Sequence, residues 1–297
     1  MINDQRSISA ESVASLPRLK PRAADAHKGN FGRVLIVAGS RGMAGAAVLC
    51  GSAALRGGAG TAQIATPDIV QPTVAASQIC CTTSALPSNP DGQLGAHALP
   101  ELLRLSERAD VLAVGPGLGR GESVRWVVRE LLERCRQLIV LDADGIEALA
   151  PLRELKPLRP GRTTILTPHP GEFARLVGTT TAAVQANRES WAVRFAASCE
   201  VVLVLKGANS LVSDGRRLYV NRTGNPGMAT SGSGDVLTGL IAALVGQGLD
   251  PFAAAQLGTH LHGLAGDLAR DELGEEAMIA ADLLGHLPKA FVRYRTT

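Results

Sequence analysis

A chain of 297 residues, 45% hydrophobic but only 3% aromatic, has room for one large α/β domain or two small ones, with a core built from Ala, Val, Leu and Ile. A net charge of +3 is too small and too dispersed to imply a nucleic-acid or membrane-surface partner, and no apolar run approaches a membrane span. The five cysteines are odd in number, form no Cys-x-x-Cys, and accompany an N-terminus without an apolar signal core, so buried thiols in a soluble cytoplasmic protein are expected.

Residues 1–24 read as a leader, irregular apart from a short helix over 9–15, and the domain is expected to occupy 25–297. From there strand-like and helix-like segments alternate. Short apolar runs predict buried strands over 33–38, 61–66, 111–114, 138–142, 164–167 and 201–205. Helices are predicted over 46–56, 122–135, 171–176, 181–198, 235–247, 251–270 and 280–293. Segments 210–213 and 218–221 flank Asp214-Gly215 and read as a hairpin. The expected fold is a single α/β domain with a mostly parallel central sheet, helices on its faces and an antiparallel edge. Ligands of such folds bind at the carboxyl ends of the strands.

The candidate loops fall at those ends. Gly39 to Ala46 is either a turn that packs helix on strand or a close backbone approach to a ligand lined by Gly45 and Ala46. Gly115-Pro-Gly-Leu-Gly119 is a poor dinucleotide fingerprint, because its third glycine falls one residue early. Asp142 and Asp144 close a strand; they suit a polar substrate group or a water-bridged Mg²⁺, and Asp144 equally suits a helix cap. In Thr167-Pro-His-Pro-Gly-Glu172 two prolines hold His169 out of a helix, and Glu172 either caps the next helix or reaches metal-bound water. Lys206 ends a run of aliphatic residues, where it meets either a phosphate or solvent. His260 and His262, two apart on a helix, point to different faces and make no zinc site.

Residues 225–238 are the most informative stretch, and the glycine-rich part begins as far back as Gly224. Gly232, Ser233 and Gly234 can expose consecutive N–H groups to an anion at the N-terminus of an apolar helix, with Asp235 at the lip. A flexible helix entry with a dipole-favoured acid is the bland alternative. The stretch lacks Lys and Arg, and no Gly-x-x-x-x-Gly-Lys-Ser/Thr occurs, which argues against a P-loop enzyme. A main-chain anion hole plus one acid is equipment for phosphoryl transfer.

Taken in order, Lys28-Gly-Asn-Phe-Gly-Arg33, Ala38-Gly-Ser40, Gly115-Pro-Gly-Leu-Gly119, Thr167-Pro-His-Pro-Gly-Glu172, Leu205-Lys-Gly-Ala-Asn209 and Gly232-Ser-Gly-Asp235 resemble the ADP-dependent NAD(P)H-hydrate dehydratases over residues 25–293. The resemblance implies a ribokinase-like fold, Mg²⁺, and repair of hydrated NADH or NADPH (NADHX, NADPHX) through a phosphorylated intermediate, with ADP as co-substrate and ATP as its alternative. It implies Asp235 as the base and Gly232, Ser233 and Gly234 as the anion hole. Ala46, Gly119, His169 and Asp235 would contact the hydrate; Lys206, Gly207, Ala208, Asn209, Ser210 and Gly234 would line the nucleotide. No direct metal ligand is implied; Glu172 is the candidate through water. Ser231 departs from the family's usual glycine. The chain is expected to be the stand-alone dehydratase, a homotetramer working beside a separate NAD(P)H-hydrate epimerase. A ribokinase-like kinase acting on a vitamin-precursor alcohol would use the same Asp235 and the same loop. A non-catalytic nucleotide-binding regulator would be expected to lack that acid.

Overall fold

The computed structural model describes residues 10–296. The chain opens with β1 (Glu11–Ser12), then β2 (Arg33–Val37), α1 (Ala44–Arg56), β3 (Thr61–Pro67), α2 (Gln71–Ser77), β4 (Thr82–Leu86) and α3 (Leu99–Ser106). It continues through β5 (Val111–Val114), α4 (Glu122–Arg134), β6 (Leu138–Leu141), α5 (Asp144–Glu147), β7 (Thr164–Leu166), α6 (Pro170–Val177), α7 (Thr181–Ala186) and α8 (Arg188–Cys199). It closes with β8 (Val202–Leu205), β9 (Leu211–Ser213), β10 (Arg217–Val220), α9 (Ser233–Gly246), α10 (Pro251–Leu273) and α11 (Ala280–Thr296).

The strands form one sheet in the order β1-β10-β9-β8-β7-β6-β5-β2-β3-β4. Pairing is parallel from β4 across to β8, and antiparallel where β9 joins β8 and β10. This is the expected α/β architecture with its antiparallel edge. Side chains alternate across each strand, which sorts the core into two faces. Leu35, Val37, Leu112 and Val114 meet α3, α4, α6 and α8 on one face. Val34, Ile36, Ala113 and Val140 meet α1, α9 and α10 on the other. Every residue of α9 from Val236 to Leu244 is buried, because the sheet covers one side and α10 and α11 cover the other. A helix apolar all round belongs in such an interior, and only its two ends are partly exposed.

Three expectations need correcting. Within the predicted helix over 9–15, Glu11 and Ser12 instead pair with Arg217 and Leu218 as a parallel strand; residue 9 lies outside the described residues. The open edge of β10 offers backbone partners that no local helix pattern can foresee. The helix predicted over 181–198 breaks at Asn187, whose φ of −143° and ψ of 45° separate α7 from α8. Between 67 and 110, where no element was predicted, β4, α2 and α3 form. Their signals are weak: Thr82, Thr83 and Ser84 make a polar edge strand, and Pro72 and Pro100 stand in the first turns of their helices, where proline is tolerated.

Candidate active site

The sheet order sets the carboxyl ends of β8, β7, β6, β5 and β2 side by side, so the loops leaving them share one rim. Backbone contacts stitch these loops together. Gly39 N–H donates to the Pro116 carbonyl at 2.8 Å, Ser40 Oγ to the Gly117 carbonyl at 2.7 Å, and Lys206 N–H to the Pro168 carbonyl at 2.9 Å.

At the centre lies Asp142, 1% exposed, just beyond β6. Its Oδ1 accepts from Lys206 Nζ at 2.9 Å and its Oδ2 from Thr238 Oγ1 at 2.8 Å. Glu172 Oε2 stands 3.9 Å from the same ammonium. Burial pushes Lys206 down, but the carboxylates of Asp142 and Glu172 more than offset this and hold it raised, so it stays charged.

The start of α9 lies over this pair. Gly232 is the N-cap with φ +91°, a left-handed conformation that a side chain would strain, and no side chain caps the first turn. Ser233 N–H donates to the Thr230 carbonyl at 3.4 Å, and the N–H groups on either side of it, at Gly232 and Gly234, are the ones turned to an anion. Gly234 adjoins this pair: a Cβ there would crowd Lys206 Nζ at 3.0 Å and touch Asp142 Oδ2 at 3.5 Å. Asp235 occupies the first turn. Burial, then the charges of Asp142, Asp144 and Glu172, push its carboxyl up to about 7, against the lowering pull of Lys206. A carboxyl poised there can take a proton from a substrate hydroxyl near neutral pH.

His169 and Glu172 resolve into a reciprocal cap. His169 Nδ1 accepts from the N–H of Gly171 at 3.0 Å and of Glu172 at 3.3 Å, while Glu172 Oε2 accepts from His169 N–H at 2.8 Å. The helix-capping alternative for Glu172 is thus observed. With Nδ1 accepting, Nε2 carries the proton of the neutral ring. Burial holds His169 below its ordinary range, opposed by Glu172. Asp144 accepts from Gly119 N–H at 2.9 Å and pairs with Arg120, fixing the loop after β5. A Cβ added to Gly117 would lie 3.0 Å from that of Ala46, so the Ala46 and Gly119 loops adjoin.

Residues 206–210 form a separate ledge. Arg188 donates to the carbonyls of Ala208 at 2.7 Å, Leu205 at 3.0 Å and Lys206 at 3.2 Å. Ser210 Oγ donates to Gly207 O at 2.9 Å, and Asn209 accepts from Arg222 at 3.2 Å. Sequence reading overlooked Arg188, Thr238 and the Lys206–Asp142 pair. Thr238 alone had a local signal, three positions after Asp235 on one helix face.

Among the described residues no group of three or more His, Cys, Asp or Glu is gathered to hold a metal. Asp142 is engaged by Lys206 and Thr238, and Glu172 by the α6 cap. These donors do not form a dedicated metal cage; Mg²⁺ characteristically rides on substrate phosphates with few protein ligands.

The family described as NAD(P)H-hydrate dehydratase matches residues 34–289. The chain is 48% identical over 277 residues to a bifunctional NAD(P)H-hydrate repair enzyme of Moorella thermoacetica, covering 93% of this chain and 51% of that one. It is 40% identical over 270 residues to an ADP-dependent (S)-NAD(P)H-hydrate dehydratase of Neisseria meningitidis, covering 89% and 85%. Among solved structures it resembles an ADP/ATP-dependent NAD(P)H-hydrate dehydratase of Bacillus subtilis co-crystallised with ATP/Mg²⁺, with TM-score 0.79, 33% identity and coverage of 93% and 94%. The chain spans about half the length of the bifunctional relatives it matches.

Proposed function

We propose, given that this chain belongs to the NAD(P)H-hydrate dehydratase family, that it converts (S)-NADHX and (S)-NADPHX to NADH and NADPH, consuming ADP and releasing AMP and phosphate. The observation that carries this reading is Asp235, a carboxyl raised to about 7 in the first turn of an uncapped helix beside a buried ammonium.

Hydroxide is a poor leaving group at neutral pH. Asp235 takes the hydroxyl proton as that oxygen forms a bond to the terminal phosphorus of ADP and the bridging P–O bond to AMP breaks. The N–H groups of Gly232 and Gly234 face the charge gathering on the transferred group, and that of Ser233 joins them by leaving its 3.4 Å contact with the Thr230 carbonyl. The ring nitrogen's lone pair then expels phosphate, and loss of the neighbouring C–H proton restores the double bond. Lys206 has three donors, one of them on Asp142, and can offer another to phosphate. Ala46, Gly119 and His169 hold the hydrate, with His169 donating through Nε2–H. Residues 206–210 hold the nucleotide. Mg²⁺, carried by the nucleotide phosphates, would neutralise their charge.

Resemblance to the family supports a homotetramer in the cytoplasm, working with an NAD(P)H-hydrate epimerase activity, with residues 25–297 as the dehydratase domain. Among the described residues no helix is long and apolar enough to cross a membrane.

Purified protein given NADHX, Mg²⁺ and either ADP or ATP is expected to restore absorbance at 340 nm, faster with ADP at equal concentration. No recovery with either nucleotide would overturn the reading. Accumulation of a stable phosphorylated alcohol would favour the kinase alternative. Arg188→Lys replaces a planar fork holding three carbonyls with a point charge. It is expected to raise the nucleotide KM about tenfold, near 1.4 kcal/mol, with kcat little changed. Initial-rate kinetics with varied ADP checks this; an unchanged KM would remove Arg188 from the nucleotide ledge.

A further inference from the structure

One buried titratable ring beside the anion loop has no part in the chemistry above. His262, on α10, is 8% exposed and faces the start of α9. Its Nε2 stands 2.9 Å from the Ser233 carbonyl oxygen and 3.4 Å from Ser233 Oγ. A carbonyl only accepts, so Nε2 carries the proton and donates. Burial pushes the ring down to about 4, so it stays neutral through the working range of pH.

The Ser233 carbonyl and the Gly234 N–H belong to one planar trans peptide and point in opposite directions. Drawing the carbonyl toward α10 therefore turns the Gly234 N–H away from α10. The Gly234 Cα lies on the Lys206–Asp142 side of the site, the side a Cβ there would contact. The first turn of a helix frays readily, since its N–H groups lack intrahelical partners. A fixed donor from a neighbouring helix removes that freedom.

α10 is itself held rigidly against the loop. Asp267 accepts from Gly224 N–H at 2.9 Å and from Asn225 Nδ2 at 3.1 Å, and Thr223 Oγ1 donates to the His260 carbonyl at 2.9 Å. Gly263 and Gly266 leave no room for a side chain: a Cβ would meet Thr223 Oγ1 at 2.3 Å and Met228 Sδ at 2.2 Å. The helix thus grips the glycine-rich loop at its beginning through Asp267 and at its end through His262.

We propose that His262 is a positioning residue for phosphoryl transfer: its Nε2–H pins the Ser233–Gly234 peptide so that the Gly234 N–H stays aimed at the transferred group. This rests on reading the loop as the anion hole of the proposed reaction. The aim of an N–H donor matters most when charge develops, so the effect falls on kcat rather than on nucleotide binding.

The test compares His262→Gln, whose amide nitrogen reaches the Nε2 position, with His262→Asn, whose shorter amide does not. With NADHX, ADP and Mg²⁺, His262→Asn is expected to lose about 10–100-fold in kcat, the scale of other supporting-shell contacts, with the nucleotide KM nearly unchanged. His262→Gln is expected to recover most of that loss. Inhibition by inorganic phosphate should weaken in His262→Asn and return in His262→Gln. A merely structural role would move melting temperature in both variants without this kcat split. Wild-type kcat in His262→Asn, or equal loss in both variants, overturns the proposal. If His262→Asn does not fold, His262→Met, which fills the space without a donor, replaces it under the same criteria. Should the wild type be inactive on NADHX, the proposed function falls by itself. The positioning role is then decided by inorganic phosphate affinity alone: wild type and His262→Gln binding more tightly than His262→Asn supports it, and equal affinities overturn it.

Discussion

Asp235→Asn is expected to lower kcat by about 10²–10⁴-fold, the range for removing a positioned general base, while nucleotide binding survives. The amide keeps the shape of the side chain but cannot take a proton. In the wild type, kcat/KM should rise with pH as Asp235 loses its proton near 7 and level off above that. Stability should move in the opposite sense. Asp235 is raised in the folded state above its unfolded value of about 3.9. Between those values the native protein holds a proton that the unfolded chain has lost, so stability falls as pH climbs from about 4 through about 7. Asp235→Asn removes that penalty and should melt at an equal or higher temperature than wild type above pH 7. Initial rates and thermal melts across pH 5–9 read both effects. An acid placed only for the helix dipole would behave otherwise, losing about 0.3–1 kcal/mol of stability with turnover intact.

Lys206→Met carries the second large effect. It strips the ammonium from Asp142, which is 1% exposed and, among the described residues, keeps only the Thr238 hydroxyl, 2.8 Å away, as a side-chain hydrogen-bond donor. Removing one partner of a buried ion pair costs about 3–5 kcal/mol, because the other charge remains in a poor medium. For a domain of this size that is a fall in melting temperature on the order of 10 °C. Lys206 also pulls the Asp235 carboxyl down, so its loss should move the midpoint of the kcat/KM profile above 7. Lys206→Met with Asp142→Asn tests the coupling: the double variant should be more stable than Lys206→Met alone, since no uncompensated carboxylate remains. If Lys206→Met melts like wild type and its profile is unshifted, the ammonium is not the counter-charge of this centre.

The sheet was largely legible because its strands are buried on both faces and read as unbroken aliphatic runs, as at 34–37, 111–114 and 202–205. The exceptions were marginal elements. β4 is a polar edge strand and β1 is two residues long, formed by the backbone of β10 rather than by its own side chains. The glycine-rich loop was legible too, since left-handed and close-approach positions draw glycine wherever they occur. His262 was weighed only as a metal ligand, because nothing in His-Leu-His shows that Ser233, 29 residues earlier, lies against it.

By itself the sequence determined the α/β alternation, the loops at the carboxyl ends of the strands, and the identity of the acid at the head of α9, because these follow from local periodicity and backbone constraint. Only the tertiary structure decided how that acid is tuned. Asp142 and Lys206 are 64 residues apart, and Asp142 and Thr238 are 96 apart. They meet because β6 and β8 flank β7 in the sheet and the first turn of α9 lies against the carboxyl end of β6. Charge–charge coupling depends on distance and burial, and neither is written in the spacing of residues along a chain.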